Sequence, residues 1–348
     1  MIQGSRAIES GDAEVILAGG VGSMSRAPFV GEKSARPYPA IGNQTVWNTA
    51  IGWRMTNRAL PIHWTISNGE AAEKTAAKWR ISREDQDAFA VRSNELAAKA
   101  GADGVYDAEI VQLPGVELAR DEGIRDGLTM EKLAGLKALF SEDGTVTAGN
   151  SSSINDGASA VLLGAQGALD AEPLARITGR GAHGVDPDEF PTAPIEAANK
   201  ALARAGRTWA EVDFVELNEA FASQSLACLR GWPDLDPEKL NIHGGALAIG
   251  HPLGASGGRI IGHAAHELRR RGGGVAVVAI CIGVGQGLAV VLDARLLRVD
   301  RGEGLEDAAL APQRRAARRC RADLDGRRRR RTAPGLRRRH PRSTRCVR

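Results

Sequence analysis

No uninterrupted apolar run in the 348-residue chain approaches the roughly eighteen residues that a membrane span requires, and Arg6, Glu9, Asp12 and Glu14 interrupt the first twenty positions. Neither a targeting nor a spanning segment is expected. Cysteine is equally sparse. Cys228, Cys281, Cys320 and Cys346 lie far apart with no CxxC pair, which argues against a disulfide framework or a zinc knuckle and fits a reducing, cytoplasmic setting. Residues 301–348 contain no lysine and keep no period of two or of 3.6 for long, so they offer nothing to a core.

The remainder has the makings of a globular protein. A hydrophobic content of 43% suffices for one large or two ordinary domains. The formal net charge of +4 misleads, because residues 301–348 hold 17 of the 46 Lys+Arg and 5 of the 42 Asp+Glu. The rest of the chain is therefore acidic, with 29 basic against 37 acidic side chains. The tail reads as disordered. An arginine-rich arm for nucleic acid is one account of it; a solvated or out-of-frame extension is the simpler one.

Strands and helices alternate along the body. "MIQGSRAIES" has helical spacing and stops at Gly11, and "EVILAGG" then reads as a buried strand from Glu14 to Gly19. Residues 29–141 differ, with an irregular stretch rich in Pro, Gly and Trp and then the helical "SNGEAAEKTAAKWRISREDQDAFAVRSNELAAKAG". They look like an insertion. The α/β pattern resumes with an apolar strand near residues 158–163. A helix follows in "APIEAANKALARAG", with Thr192 as its expected N-cap, Pro194 in its first turn and Gly206 as its stop. "VDFVELNEAFASQSLACL" reads as strand, turn and helix, and "GVAVVAICIGVGQGLAVVLD" as two strands around a glycine-studded turn. The folded body should end near Asp293.

Three stretches carry candidate chemistry. In "GHPLGASGG", glycines surround His251 and favour an exposed loop, where an imidazole titrating near neutral pH could act as a base or bind an oxyanion. A structural histidine is the plain alternative. Cys281 ends the apolar run "VAVVAI" and precedes Gly283, Gly285 and Gly287, which suits a thiol among free backbone N–H groups, or a buried inert cysteine. In "NEAF", Asn218 and Glu219 stand where a strand becomes a helix, a usual place for α/β active sites, though Asn218 could simply cap that helix.

Together, and in this order and spacing, "NEAF", "GHPLGASGG" and "CIGVGQG" closely resemble the thiolase family. "GDAEVILAGGVGSMSRAP" and "DGTVTAGNSSSINDGASAVLL" extend the resemblance over most of residues 1–293. It implies an α/β protein with the thiolase-type layered αβαβα fold, its first half incomplete and interrupted by an inserted loop domain that helps bind coenzyme A. Residues 1–28 and 142–170 would be the remnant of the N-terminal half, 29–141 the loop domain, 171–293 the C-terminal half and 294–348 the disordered tail. No permanently bound cofactor and no metal are implied. Coenzyme A and acyl-CoA would be substrates, a dimer or tetramer the assembly, and neither membrane nor nucleic acid a partner.

The resemblance also implies roles. His251 would activate the nucleophile and, with a water held by Asn218, bind the thioester oxygen. Cys281 would move the proton on the acetyl α-carbon, and the Gly283 N–H would hold the oxyanion of the acyl-enzyme. Ser152 would contact the pantetheine arm, unless it is only a turn residue between Gly149 and Gly157. His243, in "NIHGG" where many relatives have asparagine, would be a tolerated substitution rather than a second base. The family's acyl-carrying cysteine would fall a few residues before Met1, so the chain as written is expected to be inactive. Three readings follow: a degradative thiolase-type acyltransferase, a non-catalytic CoA-binding relic, or a nucleic-acid-associated protein led by its tail. "TAIGWRM" and "WPDLDPEKLNIHGG" are similar both to thiolases acting on 3-oxoadipyl-CoA in aromatic-compound breakdown and to general 3-ketoacyl-CoA thiolases.

Overall fold

The computed structural model describes residues 1–34, 43–118 and 120–295. At its centre is a four-stranded sheet in the order β5 (Arg176–Gly184), β8 (Gln286–Asp293), β7 (Val275–Ile282), β6 (Phe214–Leu217). Only the β6–β7 pairing is parallel. The central strand β7 is apolar at every position rather than at alternate ones, because helices cover both faces. One face buries Val215, Leu217, Val277, Ala279 and Val291 against Ala197, Ala201 and Leu202 of α5 (Ala193–Ala205). The other buries Phe214, Ala276, Val278 and Val290 against Ile260, Ala264 and Leu268 of α8 (Leu253–Arg270).

Helix α8 is shared between two sheets. Its far side lies on β1 (Val15–Ser23), which pairs antiparallel with β4 (Asp156–Gly164) in a register that sets Leu17 opposite Leu162. Strand β1 runs on past Gly19, and its glycines explain why. A Cβ on Gly20 would lie 2.1 Å from the Gly254 carbonyl oxygen, and one on Gly254 would lie 2.2 Å from that of Val21. Without side chains here, the first turn of α8 rests directly on the strand. Helix α1 (Ile2–Ser10) packs on the same face of β1 and β4 and ends at Gly11, φ 82°. The layers are thus α5, the four-stranded sheet, α8 with α1, and the β1–β4 pair: four of the five layers of the αβαβα fold. On the outer face of that pair Leu17 and Val21 are each 72% exposed.

The inserted region contains a short pairing of β2 (Phe29–Gly31) with β3 (Val46–Asn48) and two long helices. α2 (Asn68–Trp79) and α3 (Arg83–Ala102) are separated at Arg80, φ 54°, and each begins with a capping box, Ser67 with Glu70 and Ser82 with Asp85. A one-turn helix, α4 (Met130–Ala134), follows. α6 (Ala222–Gly231) and α7 (Ala246–Ile249) complete the set. No helix among the described residues is long and apolar enough to cross a membrane.

One expectation needs correction. Thr192 does not cap α5 with its side chain; the 3₁₀ helix Pro187–Thr192 leads straight into α5, and the Thr192 hydroxyl donates to the Glu189 carbonyl instead. Past β8 the described chain continues to Arg295. The Ala294 N–H donates to the Gly274 carbonyl, and Arg295 pairs with Asp213 at 2.7 Å. The rest of the arginine-rich tail lies outside the described residues.

Candidate active site

Parallel strands β6 and β7 end side by side, a common place for α/β sites. The Asn218 N–H donates to the Ala279 carbonyl at 3.0 Å, continuing the ladder by one residue beyond Leu217. The next turn closes with the Ala220 N–H on the Asn218 carbonyl, 3.1 Å. Asn218 is fully buried, and neither atom of its carboxamide has a hydrogen-bond partner. It does not cap α6, which starts at Ala222 with Phe221 as its N-cap. An unpaired buried amide costs on the order of 1–3 kcal/mol, so a bound water or ligand atom is the expected occupant of the space it faces.

Glu219, its neighbour, is already satisfied. Its carboxylate accepts from Asn241 Nδ2 at 2.7 Å, Ser93 Oγ at 2.7 Å and the Leu247 N–H at 3.0 Å. Burial holds its carboxyl above the usual range despite those donors. It ties α3 and α7 to the β6 turn. Gly245 leaves room for it, since a Cβ there would lie 2.5 Å from the Glu219 carboxyl carbon.

Cys281 lies at the end of β7, opposite Gly287 and 6% exposed. Ala71 and Ala72 of α2, Phe190, Ala220 and Phe221 belong to the same apolar cluster. Burial pushes its thiol up to about 12, so at neutral pH it keeps its proton and can give one away. Gly283 follows two residues later in the β7–β8 turn, near Asn68 at the start of α2; the turn itself is set by positive φ at Val284 and Gly285.

His251 corrects the expectation of an exposed, near-neutral imidazole. It joins α7 to α8 and is half-buried rather than exposed. Desolvation, and then the Arg259 charge, lower its value to about 4, so it is neutral at pH 7 and able to accept a proton. Its Nδ1 lies 2.6 Å from Ser256 Oγ, and its N–H donates to Asn155 Oδ1 at 3.1 Å.

Ser152 lies in the segment between these pieces. Its N–H and hydroxyl both donate to the Ala220 carbonyl, at 3.1 and 3.0 Å, so it buttresses the "NEAF" turn. Asn155, Ser256 and Asn241 were not singled out from the sequence; the Ser256 spacing, five residues after His251 on a helix start, was the one available signal. His243 faces away into a second cluster, its Nδ1 3.1 Å from His263 Nε2. Among the described residues no group of His, Cys, Asp and Glu is disposed to hold a metal ion.

Asn218, just past β6, and Cys281, near the end of the parallel strand β7, thus lie at the same edge of the sheet in a layered α/β fold. Two family models match the chain: thiolase N-terminal domain over residues 1–167 and thiolase C-terminal domain over 171–294. The 3-oxoadipyl-CoA/3-oxo-5,6-dehydrosuberyl-CoA thiolase of Escherichia coli K12 is 44% identical over 302 residues, 83% of this chain and 75% of that protein. The beta-ketoadipyl-CoA thiolase of Pseudomonas putida is 43% identical over 300 residues, 83% and 74% respectively. Human mitochondrial 3-ketoacyl-CoA thiolase, solved in complex with CoA, superposes with a TM-score of 0.78 at 38% identity, covering 84% of this chain and 74% of that one. The chain belongs to the thiolase family.

Proposed function

We propose that the chain takes part in a thiolase-type acyl transfer, the degradative cleavage of a 3-ketoacyl-CoA by coenzyme A to an acyl-CoA and acetyl-CoA. The 3-oxoadipyl-CoA and beta-ketoadipyl-CoA thiolases among its relatives make a 3-oxo dicarboxylic acyl-CoA the favoured substrate class. The observation that carries the reading is the unpartnered, buried carboxamide of Asn218 beside β7, the strand that carries Cys281. An oxygen donor such as water satisfies that amide, and a water so held can donate to a thioester oxygen as charge develops on it.

On this reading the neutral His251 ring accepts the proton of the attacking thiol through Nε2. The protonated Cys281 thiol returns a proton to the α-carbon of the departing acetyl-CoA enolate, and its thiolate removes one in the reverse condensation. The Gly283 N–H stabilises the acyl oxyanion, and Ser152 with residues 29–141 holds the pantetheine arm. The acyl group itself needs a thiol beside His251. Cys228 does not supply it, being fully buried in α6 with its Sγ against the Pro191 carbonyl. The relic reading finds no support in relatives that are named as enzymes. A cytoplasmic homo-oligomer completes the proposal.

The test separates proton transfer from acyl transfer. Full-length chain incubated with acetyl-CoA in D2O should exchange the acetyl methyl protons, and Cys281→Ala should reduce that exchange by about 10²-fold or more. Cleavage of 3-oxoadipyl-CoA and acetoacetyl-CoA is measured alongside. Exchange that survives Cys281→Ala unchanged would overturn the role given to Cys281.

A further inference from the structure

We propose that Asn155 is a positioning residue, which sets where the His251 ring stands relative to Asn218 through a six-residue strap, Asn150 to Asn155, bonded to both loops. The proposal rests on the reading of His251 as the proton acceptor.

The His251 end of the strap is built around one carboxamide. Asn155 Oδ1 accepts from the His251 N–H at 3.1 Å and from Ser153 Oγ at 3.0 Å. The residue before His251 is Gly250, φ 88°, and a Cβ there would stand 2.3 Å from both Cγ and Oδ1 of Asn155. The carboxamide therefore occupies the space that any side chain at 250 would need. It holds the backbone entering His251 by contact as well as by hydrogen bond.

The Asn218 end is held just as firmly. Ser152 donates twice to the Ala220 carbonyl, and the Ala222 N–H donates to the Asn150 carbonyl at 2.9 Å. Asn150 is fully buried, its Oδ1 accepting from the Thr147 N–H at 2.8 Å and its Nδ2 donating to Asp87 at 2.9 Å and to the Thr145 carbonyl at 3.0 Å. Past Asn155 the chain enters β4 at once, where a Cβ on Gly157 would come 2.6 Å from the Pro252 ring. The His251 loop is thus fixed on both sides by one short segment whose other end grips the turn carrying Asn218. A reacting group displaced by about 1 Å can lose on the order of 10² in rate, so such a strap bears on chemistry and not only on stability.

The ring itself supplies the readout. Full-length chain labelled with ¹⁵N-histidine is titrated by long-range ¹H–¹⁵N spectroscopy, with the His251 signals among the seven histidines assigned by their loss in His251→Gln. The native ring should titrate far below the ordinary 6.5 with its proton on Nδ1. In Asn155→Ala the loop loosens and hydrates, so the midpoint should rise by roughly one pH unit or more and the tautomer should become mixed. Gly250→Ala, whose new methyl displaces the carboxamide, should shift it likewise, and the double variant should shift no further than either alone. Ser153→Ala, which removes one donor to Asn155, gives a smaller shift in the same direction and serves if Asn155→Ala does not fold. An unchanged His251 midpoint and tautomer in Asn155→Ala, or additive shifts in the double variant, would overturn the proposal. Shifts as expected without loss of 3-oxoadipyl-CoA and acetoacetyl-CoA cleavage would instead sink the proton-acceptor reading and leave the positioning intact.

Discussion

The Ser256 hydroxyl stands 2.6 Å from Nδ1 of His251 and directs its own proton to the Pro252 carbonyl, 3.1 Å away. With that proton committed, Ser256 can only accept from His251, so Nδ1 carries the ring hydrogen and Nε2 keeps its lone pair. The residue that selects the tautomer is fully buried in the first turn of α8.

Removing the hydroxyl should therefore affect chemistry more than stability. Ser256→Ala is expected to lower cleavage of 3-oxoadipyl-CoA and acetoacetyl-CoA by about 10-fold to 10²-fold, while melting within a few degrees of the native chain. The check pairs the cleavage rate with the ¹⁵N shifts of His251. A ring that remains an Nδ1–H tautomer in the variant would contradict the assignment.

The legible and illegible parts of this site divide along a physical line. Local signals were readable: Gly11 and Gly206 end helices in the left-handed conformation, φ 82° and 65°, because glycine alone adopts it freely, and the apolar run before Cys281 forms β7. Long-range pairings left no local trace. Asn155 meets His251 across 96 residues, and no pattern within "SSSIND" distinguishes its amide from that of a turn residue. Glycine is ambiguous in the same way. Around His251 glycine suggests exposure, whereas Gly20 and Gly254 let helix and strand backbones touch and the imidazole is half-buried.

A second buried cluster adds a pH dependence of its own to the fold. His263 on α8 lies 2.9 Å from Glu109 and 3.8 Å from Glu216. His243, Tyr106, Arg259 and Arg270 surround them. Burial opposes the His263 charge, but Glu216 and Glu109 outweigh it and raise the imidazole above 6.5. Its contribution to stability is then fully present below 6.5 and lost as pH rises through the raised value. Burial pushes Glu216 up to about 7, so its folded state also prefers the proton, and stability falls as pH rises from 4.5 through 7. His243, lowered to about 4 by burial and by His263, acts oppositely and only between about 4 and 6.5. The melting temperature should decline from pH 6.5 to 8.5, with a shallower slope in Glu109→Gln. Equal slopes in the two proteins would exclude the cluster as the cause.

The most damaging single change outside the reacting groups should be Asn241→Ala. Asn241 is fully buried beside the edge of β6, where its Oδ1 accepts from the Leu217 N–H at 2.8 Å and its Nδ2 donates to the Leu217 carbonyl at 2.9 Å. One side chain thereby does what a neighbouring strand would do, and the same Nδ2 serves Glu219 at 2.7 Å. Alanine leaves a backbone donor, a backbone acceptor and a buried carboxylate short of partners, each costing about 1–3 kcal/mol. It also retains the strained φ of 47°, which asparagine tolerates better than alanine. A loss of roughly 3–5 kcal/mol in urea unfolding follows, with Glu219 pushed further up and the turn bearing Asn218 loosened. Lys99→Ala, which removes an exposed helical pair with Asp103, should cost under about 0.5 kcal/mol in the same experiment. A comparable loss from both would show that the Leu217 edge does not depend on Asn241.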